Sequence, residues 1–260
     1  MRGVHRLNEW KLAFIKPLQV VSEKICFTLL RNSNNYFFIN LNSKEILSNS
    51  FIQFKSYENY EQNLEVQRIK TERRLRVFKE ESKSIMWTKE INIKDISNLI
   101  KDHRQGTIIS GLCMGSRSGE EQTLFHKFLG KNSKVFGVEL HSDAKSLPNT
   151  IIADFHYPPK NLFGKFDFVY SNSHDQSFNP KLAIGSWIKC LKVDGLLVLE
   201  HSRSHGKLRT NRQDPFGVET EILPFLIMCW FSANLRLEGI YEPSKPFDNA
   251  HKYFVFSKKM

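Results

Sequence analysis

Gly111, Gly115 and Gly119 stand four residues apart in GTIISGLCMGSRSGEE, directly after an apolar run. A residue without a Cβ lets a ligand come close to the backbone, and amides at a following helix start can donate hydrogen bonds to it. Side chains further along could act with such a loop. Glu139 closes the segment KVFGVE about 20 residues beyond the glycines, where a carboxylate can accept both hydroxyls of a ribose. Asp154, in Ala-Asp-Phe-His, could accept from an exocyclic amine while Phe155 packs on a base. His174 and Asp175, in Asn-Ser-His-Asp-Gln, are the candidates for taking a proton from a reacting group, with His201 and His205 next in line. Together these residues describe a nucleoside site with an acid–base pair at one end.

The loop also says which kind of nucleoside. A dinucleotide site calls for G-x-G-x-x-G, with a pyrophosphate on the helix N-terminus. Here the glycines are spaced by four, and Glu120 and Glu121 at the helix start would repel phosphate. A sulfonium amino-acid cofactor carries positive charge and no phosphate, and suits that environment better.

The elements that must hold these residues become regular after about residue 90. Residues 95–101 read as a short helix, 107–112 as a buried strand and 120–129 as a helix with Gly130 at its C-cap. Three further strands are expected at 134–140, 149–154 and 166–172, then a helix at 182–191 and a fifth strand at 195–200. Strands that are apolar almost throughout, separated by helix-length stretches, indicate a parallel sheet covered on both faces. At the end of the chain, 235–242 and 252–257 are strand-like with no room for a helix between them, so they pair antiparallel or lie apart. The expected fold is a doubly wound, Rossmann-like α/β domain over 91–260, mostly parallel with a terminal antiparallel hairpin. Residues 1–90 are expected to form a mixed, partly helical α+β extension. Within it, 36–41 reads as a short strand and 63–85 as an exposed helix bearing Leu64, Ile69, Leu75, Val77 and Phe78.

Composition sets outer bounds. The chain has 260 residues, 40% of them apolar, enough to bury a sizeable core. No apolar stretch approaches the roughly 20 residues that span a bilayer. The apolar piece at 10–21 is broken by Lys11, Lys16 and Pro17 and is not read as a leader. Cys26, Cys113, Cys190 and Cys229 are scattered without metal-ligand spacing, which excludes a disulfide scaffold and fits a reducing, cytoplasmic compartment. The net charge of +11 is interleaved with acidic residues, which describes a basic surface more than a nucleic-acid stripe.

From about residue 95 to 258 the chain resembles the class I S-adenosylmethionine-dependent methyltransferases. More narrowly, it resembles a methyltransferase-domain group whose first motif reads Leu-Cys-Leu-Gly-x-Arg-x-Gly-x-Glu, here Leu112-Cys-Met-Gly-Ser-Arg-Ser-Gly-Glu120-Glu121. That group's Gly-Asp-Phe-His appears as Ala153 to His156, its Asn-Ser-x-Asp-His as Asn172 to Gln176, and its Leu-Lys-Pro-Gly-Gly as Leu191 to Gly195. Ser110 and Gly111 stand where the common methyltransferase loop begins with an acid. The resemblance implies a seven-stranded sheet and S-adenosyl-L-methionine as cofactor. It implies cofactor contacts by Gly111, Cys113, Met114, Gly115, Ser116 and Gly119 of the loop. It implies further contacts by Glu139, Leu140, Asp154, Phe155, Ser171 and Asn172. The expected activity is methyl transfer to an oxygen or nitrogen of a small-molecule or glycan acceptor, with His174 and Asp175 as the catalytic pair.

A nucleic-acid acceptor is disfavoured, because no Asn/Asp-Pro-Pro-Tyr/Phe tetrad that would stack a flipped base is present; Tyr157-Pro-Pro-Lys is not one. Two other readings stay open at this point. One is a cofactor-binding but inactive module whose basic N-terminal segment binds a partner or an acidic surface. The other is a nucleotide-dependent oxidoreductase.

Overall fold

In the computed structural model the backbone is described for residues 27–32, 35–40 and 52–54, and main and side chains for 60–81, 86–104 and 108–260. The stretch at 10–21 and the basic N-terminal segment lie outside the described residues. Aromatic and β-branched residues between turn formers give the first elements, Phe27–Asn32 (β1) and Asn35–Asn40 (β2), which pair antiparallel. The short strand Ile52–Phe54 (β3) pairs with a later one, described below.

Tyr60–Glu81 forms a long helix (α1), but it is not exposed all round as expected. Asn63, Gln67, Lys70, Thr71 and Leu75 are buried, whereas Ile69 is 56% exposed. A helix burying a mainly polar stripe must be packing against polar groups rather than against the core. Glu90–His103 (α2) is conventional, with Ile93, Ile96 and Ile100 buried at helical spacing.

The sheet follows. Its strands are Ser110–Met114 (β4), Lys134–Glu139 (β5), Thr150–Ile152 (β6), Phe166–Ser171 (β7) and Leu191–His201 (β8), followed by Leu235–Tyr241 (β10) and Lys252–Lys258 (β11). Their order is β10-β11-β8-β7-β4-β5-β6. All neighbours are parallel except around β11, which runs antiparallel to both β8 and β10. Between the strands lie Glu120–Leu129 (α3), Pro180–Cys190 (α4) and Leu223–Phe231 (α5). Phe216–Val218 (β9) is the antiparallel partner of β3.

Alternation along the strands builds two cores. Phe168, Tyr170, Leu196 and Val198 meet α2 and α3, while Val169, Leu197 and Leu199 meet α4 and α5 with Trp187 between them. This is the seven-stranded α/β fold with a terminal antiparallel hairpin. Asp194 sits at φ +57, where the resembling group has glycine; a short polar residue tolerates that left-handed turn.

β4, at Ser110–Met114, begins and ends later than the strand expected at 107–112. Ser110 therefore sits at its start, donating its hydroxyl to Asp167 at 2.7 Å, and is not at the carboxyl end. Gly111 is the second residue of the strand, and a Cβ there would lie 2.1 Å from the Phe168 ring. Its glycine is needed for ring packing inside the sheet. Gly111→Ala is expected to destabilise the fold by about 1–3 kcal/mol through overpacking, read as a lower urea midpoint at unchanged slope. An unchanged midpoint would show that the ring has room to move.

Candidate active site

In an open α/β sheet, ligands sit beyond the carboxyl ends of the strands where the order reverses. Here that point lies between β4 and β7, whose chain continues outward to opposite edges. After Met114 the chain turns at Gly115, φ +79, and a Cβ there would meet Ser173 at 2.8 Å, so only glycine fits. The Gly115 and Ser116 amides donate to the Val138 carbonyl at 3.0 and 3.2 Å, fastening the loop to β5. Arg117 follows in the left-handed region at φ +47, and its amide donates to Glu139 Oε2 at 2.8 Å. Gly119, φ +77, is the N-cap of α3.

Glu139 is held at the end of β5 by the loop it would serve. Its other oxygen accepts from the Leu140 amide at 2.8 Å and from Thr71 Oγ1, on α1, at 3.3 Å. Ser171 braces the neighbouring strand ends, donating to the Met114 carbonyl at 3.0 Å and accepting from the Ser173 amide at 3.0 Å. Gly115, Ser116, Asn172 and Asp175 are thus brought to one cleft, whereas Gly119, Glu139 and Leu140 do not line it; Glu139 is tied to it through the amide of the lining residue Arg117. Cys113 and Met114 are fully buried within β4 and do not line it. Asp154 and Phe155 do not line it either. Asp154 Oδ1 accepts from the His156 amide and pairs with its Nδ1, both at 2.8 Å, while Phe155 stacks on that ring at 4.7 Å.

His174 and Asp175 are adjacent in sequence but face different surroundings. His174 is wholly buried, with Nε2 3.0 Å from His201 Nδ1, and its ring stacks on His205 at 4.9 Å. His205 in turn contacts the Asn172 carbonyl at 3.0 Å and accepts the Ser202 amide at 2.9 Å. Burial, with His205 alongside, holds His174 well below the ordinary histidine range, so the ring is neutral. Among the described residues no group of three or more His, Cys, Asp or Glu could hold a metal ion. Asp175 lines the cleft itself, and its Oδ1 has no partner within the protein. Burial pushes its carboxyl up to about 6.

The remaining wall includes residues that sequence reasoning passed over. Lys70 and Arg74 of α1, with Trp87, face the cleft, and Lys70 Nζ pairs with Asp214 Oδ1 at 2.6 Å. Burial lowers Lys70. The same burial would raise Asp214, but the Lys70 ammonium overcomes it and holds that carboxyl below its usual value. The polar stripe of α1 is thereby explained: Gln67 donates to the Gln213 carbonyl at 2.6 Å, and Thr71 reaches Glu139. The available signal was the helical spacing of Asn63, Gln67, Lys70 and Arg74, which reads as a solvated face when taken alone. Among the described residues no helix is long and apolar enough to cross a membrane.

No family model matches the sequence, and neither does any curated protein. Solved structures do match in three dimensions. The 1,6-didemethyltoxoflavin N1-methyltransferase of Burkholderia thailandensis, solved with S-adenosylhomocysteine, aligns at a TM-score of 0.55 and 16% identity, over 80% of this chain and 94% of that one. The fold is that of the class I methyltransferases. The methyltransferase fold is shared with the putative methyltransferase bound to the Haloferax volcanii Trm112 activator, at TM-score 0.51 and 11% identity, over 78% and 100% of the chains. It is also shared with the CurJ carbon methyltransferase, at 0.50 and 10%, over 66% of this chain. This chain spans 54% of the CurJ chain.

Proposed function

We propose that this protein is an S-adenosyl-L-methionine-dependent methyltransferase acting on an oxygen or nitrogen of a small-molecule or glycan acceptor. The reading rests on one observation above all: an unpartnered, buried carboxylate oxygen of Asp175 in the cleft formed by the glycine loop of a methyltransferase fold. The chemistry of the cleft fits such a cofactor. Gly115 and Ser116 allow close approach, Glu139 behind the loop is the residue we assign to the ribose hydroxyls, and the acidic side chains Glu120 and Glu121 at the α3 start suit a cation better than a phosphate.

When bound, the cofactor supplies an electrophilic methyl group on a sulfonium. The chain's own work is to align the acceptor, exclude water and remove its proton. Asp175 would take that proton on Oδ1, leaving the acceptor lone pair free for the methyl carbon, while the electrons of the broken carbon–sulfur bond would stay on the cofactor's sulfur. The packed rings of His174, His201 and His205 stand next to it in the fold, and Lys70 and Arg74 of α1 line the cleft together with Trp87. The acceptor is bound among Lys70, Trp87 and Asp214, where both charges and an aromatic face are available.

A thermal-shift panel tests the cofactor assignment. S-adenosylhomocysteine at 100 times its dissociation constant is expected to add about 2.7 kcal/mol, a rise of roughly 5–10 °C in Tm, with NAD and NADP inert. Stabilisation by NAD or NADP alone would overturn the proposal in favour of a nucleotide-dependent oxidoreductase. Binding without turnover on any acceptor would instead favour an inactive cofactor-binding module.

A further inference from the structure

We infer that Glu121, the second residue of α3, binds the α-ammonium of the cofactor's amino-acid end. Its side chain is 5% exposed and lines the same cleft as Gly115 and Asp175. Oε1 accepts from Asn172 Nδ2 at 2.9 Å, which fixes the carboxyl plane. Oε2 is buried and has no partner in the protein. A buried polar oxygen left in that state is costly and calls for a ligand that satisfies it. Protonation does not remove the cost, since the added O–H would itself need an acceptor.

The choice of ligand group follows from hydrogen-bonding chemistry. This inference rests on the cofactor proposed above, which carries two cationic centres, a sulfonium and an ammonium. A sulfonium has no hydrogen to donate; an ammonium has three. An acceptor held by one hydrogen bond and missing another is complementary to the ammonium. Burial raises the Glu121 carboxyl to about 8, with Asn172 and Arg117 opposing that rise, so the site is short of a positive partner. The carboxylate on the same ligand carbon would meet the arginines of this cleft, Arg74 and Arg117. Glu121 thus makes the cofactor pocket read the amino-acid end as well as the nucleoside.

The test compares two ligands by calorimetric titration. S-adenosylhomocysteine carries the amino-acid end; 5′-methylthioadenosine has the same nucleoside and sulfur without it. Glu121→Gln keeps the Oε1 acceptor and the side-chain shape but cannot pair with a cation. It is expected to weaken S-adenosylhomocysteine by about ten- to a hundredfold and 5′-methylthioadenosine by less than about twofold. Retained 5′-methylthioadenosine binding also shows that the variant folds. Equal losses for both ligands, or no loss for either, overturn the assignment of Glu121. If the unmodified protein binds neither ligand, the cofactor proposal fails first and takes this one with it.

Discussion

Asp175→Asn is expected to lower kcat/KM for methyl transfer by about 10²–10⁴-fold, the range for loss of a positioned base. Asparagine keeps the shape and one acceptor but cannot take a proton. The pH profile carries the same information with a definite sign. Burial raises Asp175 to about 6, and the working form is the carboxylate. Activity of the unmodified protein should therefore fall about tenfold per pH unit below about 6 and level off above it. The variant's residual activity should lose that limb. Affinity for S-adenosylhomocysteine should change little, because the Asp175 oxygen is assigned to the acceptor. Turnover within a factor of about three of the unmodified protein would remove Asp175 from the mechanism. His174 makes an informative contrast: its Nε2 is engaged by His201 and its ring has no exposure. His174→Ala is expected to appear as lost stability, with the pH limb of the remaining activity in place.

Glu200→Ala should cost the fold about 3–5 kcal/mol, the toll of breaking a fully buried polar centre by removing one member. Glu200 lies on β8 with no exposure, and four donors converge on it. Thr88 Oγ1 at 2.9 Å, Asn92 Nδ2 at 3.1 Å and His251 Nε2 at 2.8 Å meet one oxygen, and the Tyr170 hydroxyl donates to the other. These donors come from the start of α2, the segment before it, β7 and the turn before β11. Truncation leaves all of them buried and unmet, and opens a cavity as well. Urea denaturation should show the loss as a lower midpoint. A change below about 1 kcal/mol would mean that water replaces the carboxylate without penalty.

Much of the scaffold was legible from local pattern. The helix at 120–129 coincides with α3, and the strands expected at 134–140 and 166–172 match β5 and β7 to within a residue. Apolar runs of strand length declare burial on both faces whatever their neighbours are. The register of β4 was less legible. Thr107, Ile108 and Ile109 continue the apolar pattern into the strand's approach, and only pairing of Ser110 with Lys134 sets its start. The helix was expected to run to 191 and the fifth strand to begin at 195, yet the long β8 already begins at Leu191, because Phe166 pairs with Leu191 across an irregularity in the sheet.

The site divides along the same physical line. The sequence by itself determined a parallel α/β sheet and a glycine loop at a strand end. It also placed an acid on the next strand and an Asn-Ser-His-Asp segment at the switch point, because each is a short-range pattern of size, polarity and backbone freedom. Tertiary structure decided which of those residues line the cleft. His174 and Asp175 part company because one rotates into a stack with His201 and His205, contributed by residues 27 and more positions away, and the other into the cleft. Lys70 finds Asp214 across 144 positions, and no local pattern encodes such a pair. Whether a charged side chain is solvated or structural depends on the dielectric and partners around it, and those exist only once the chain has packed.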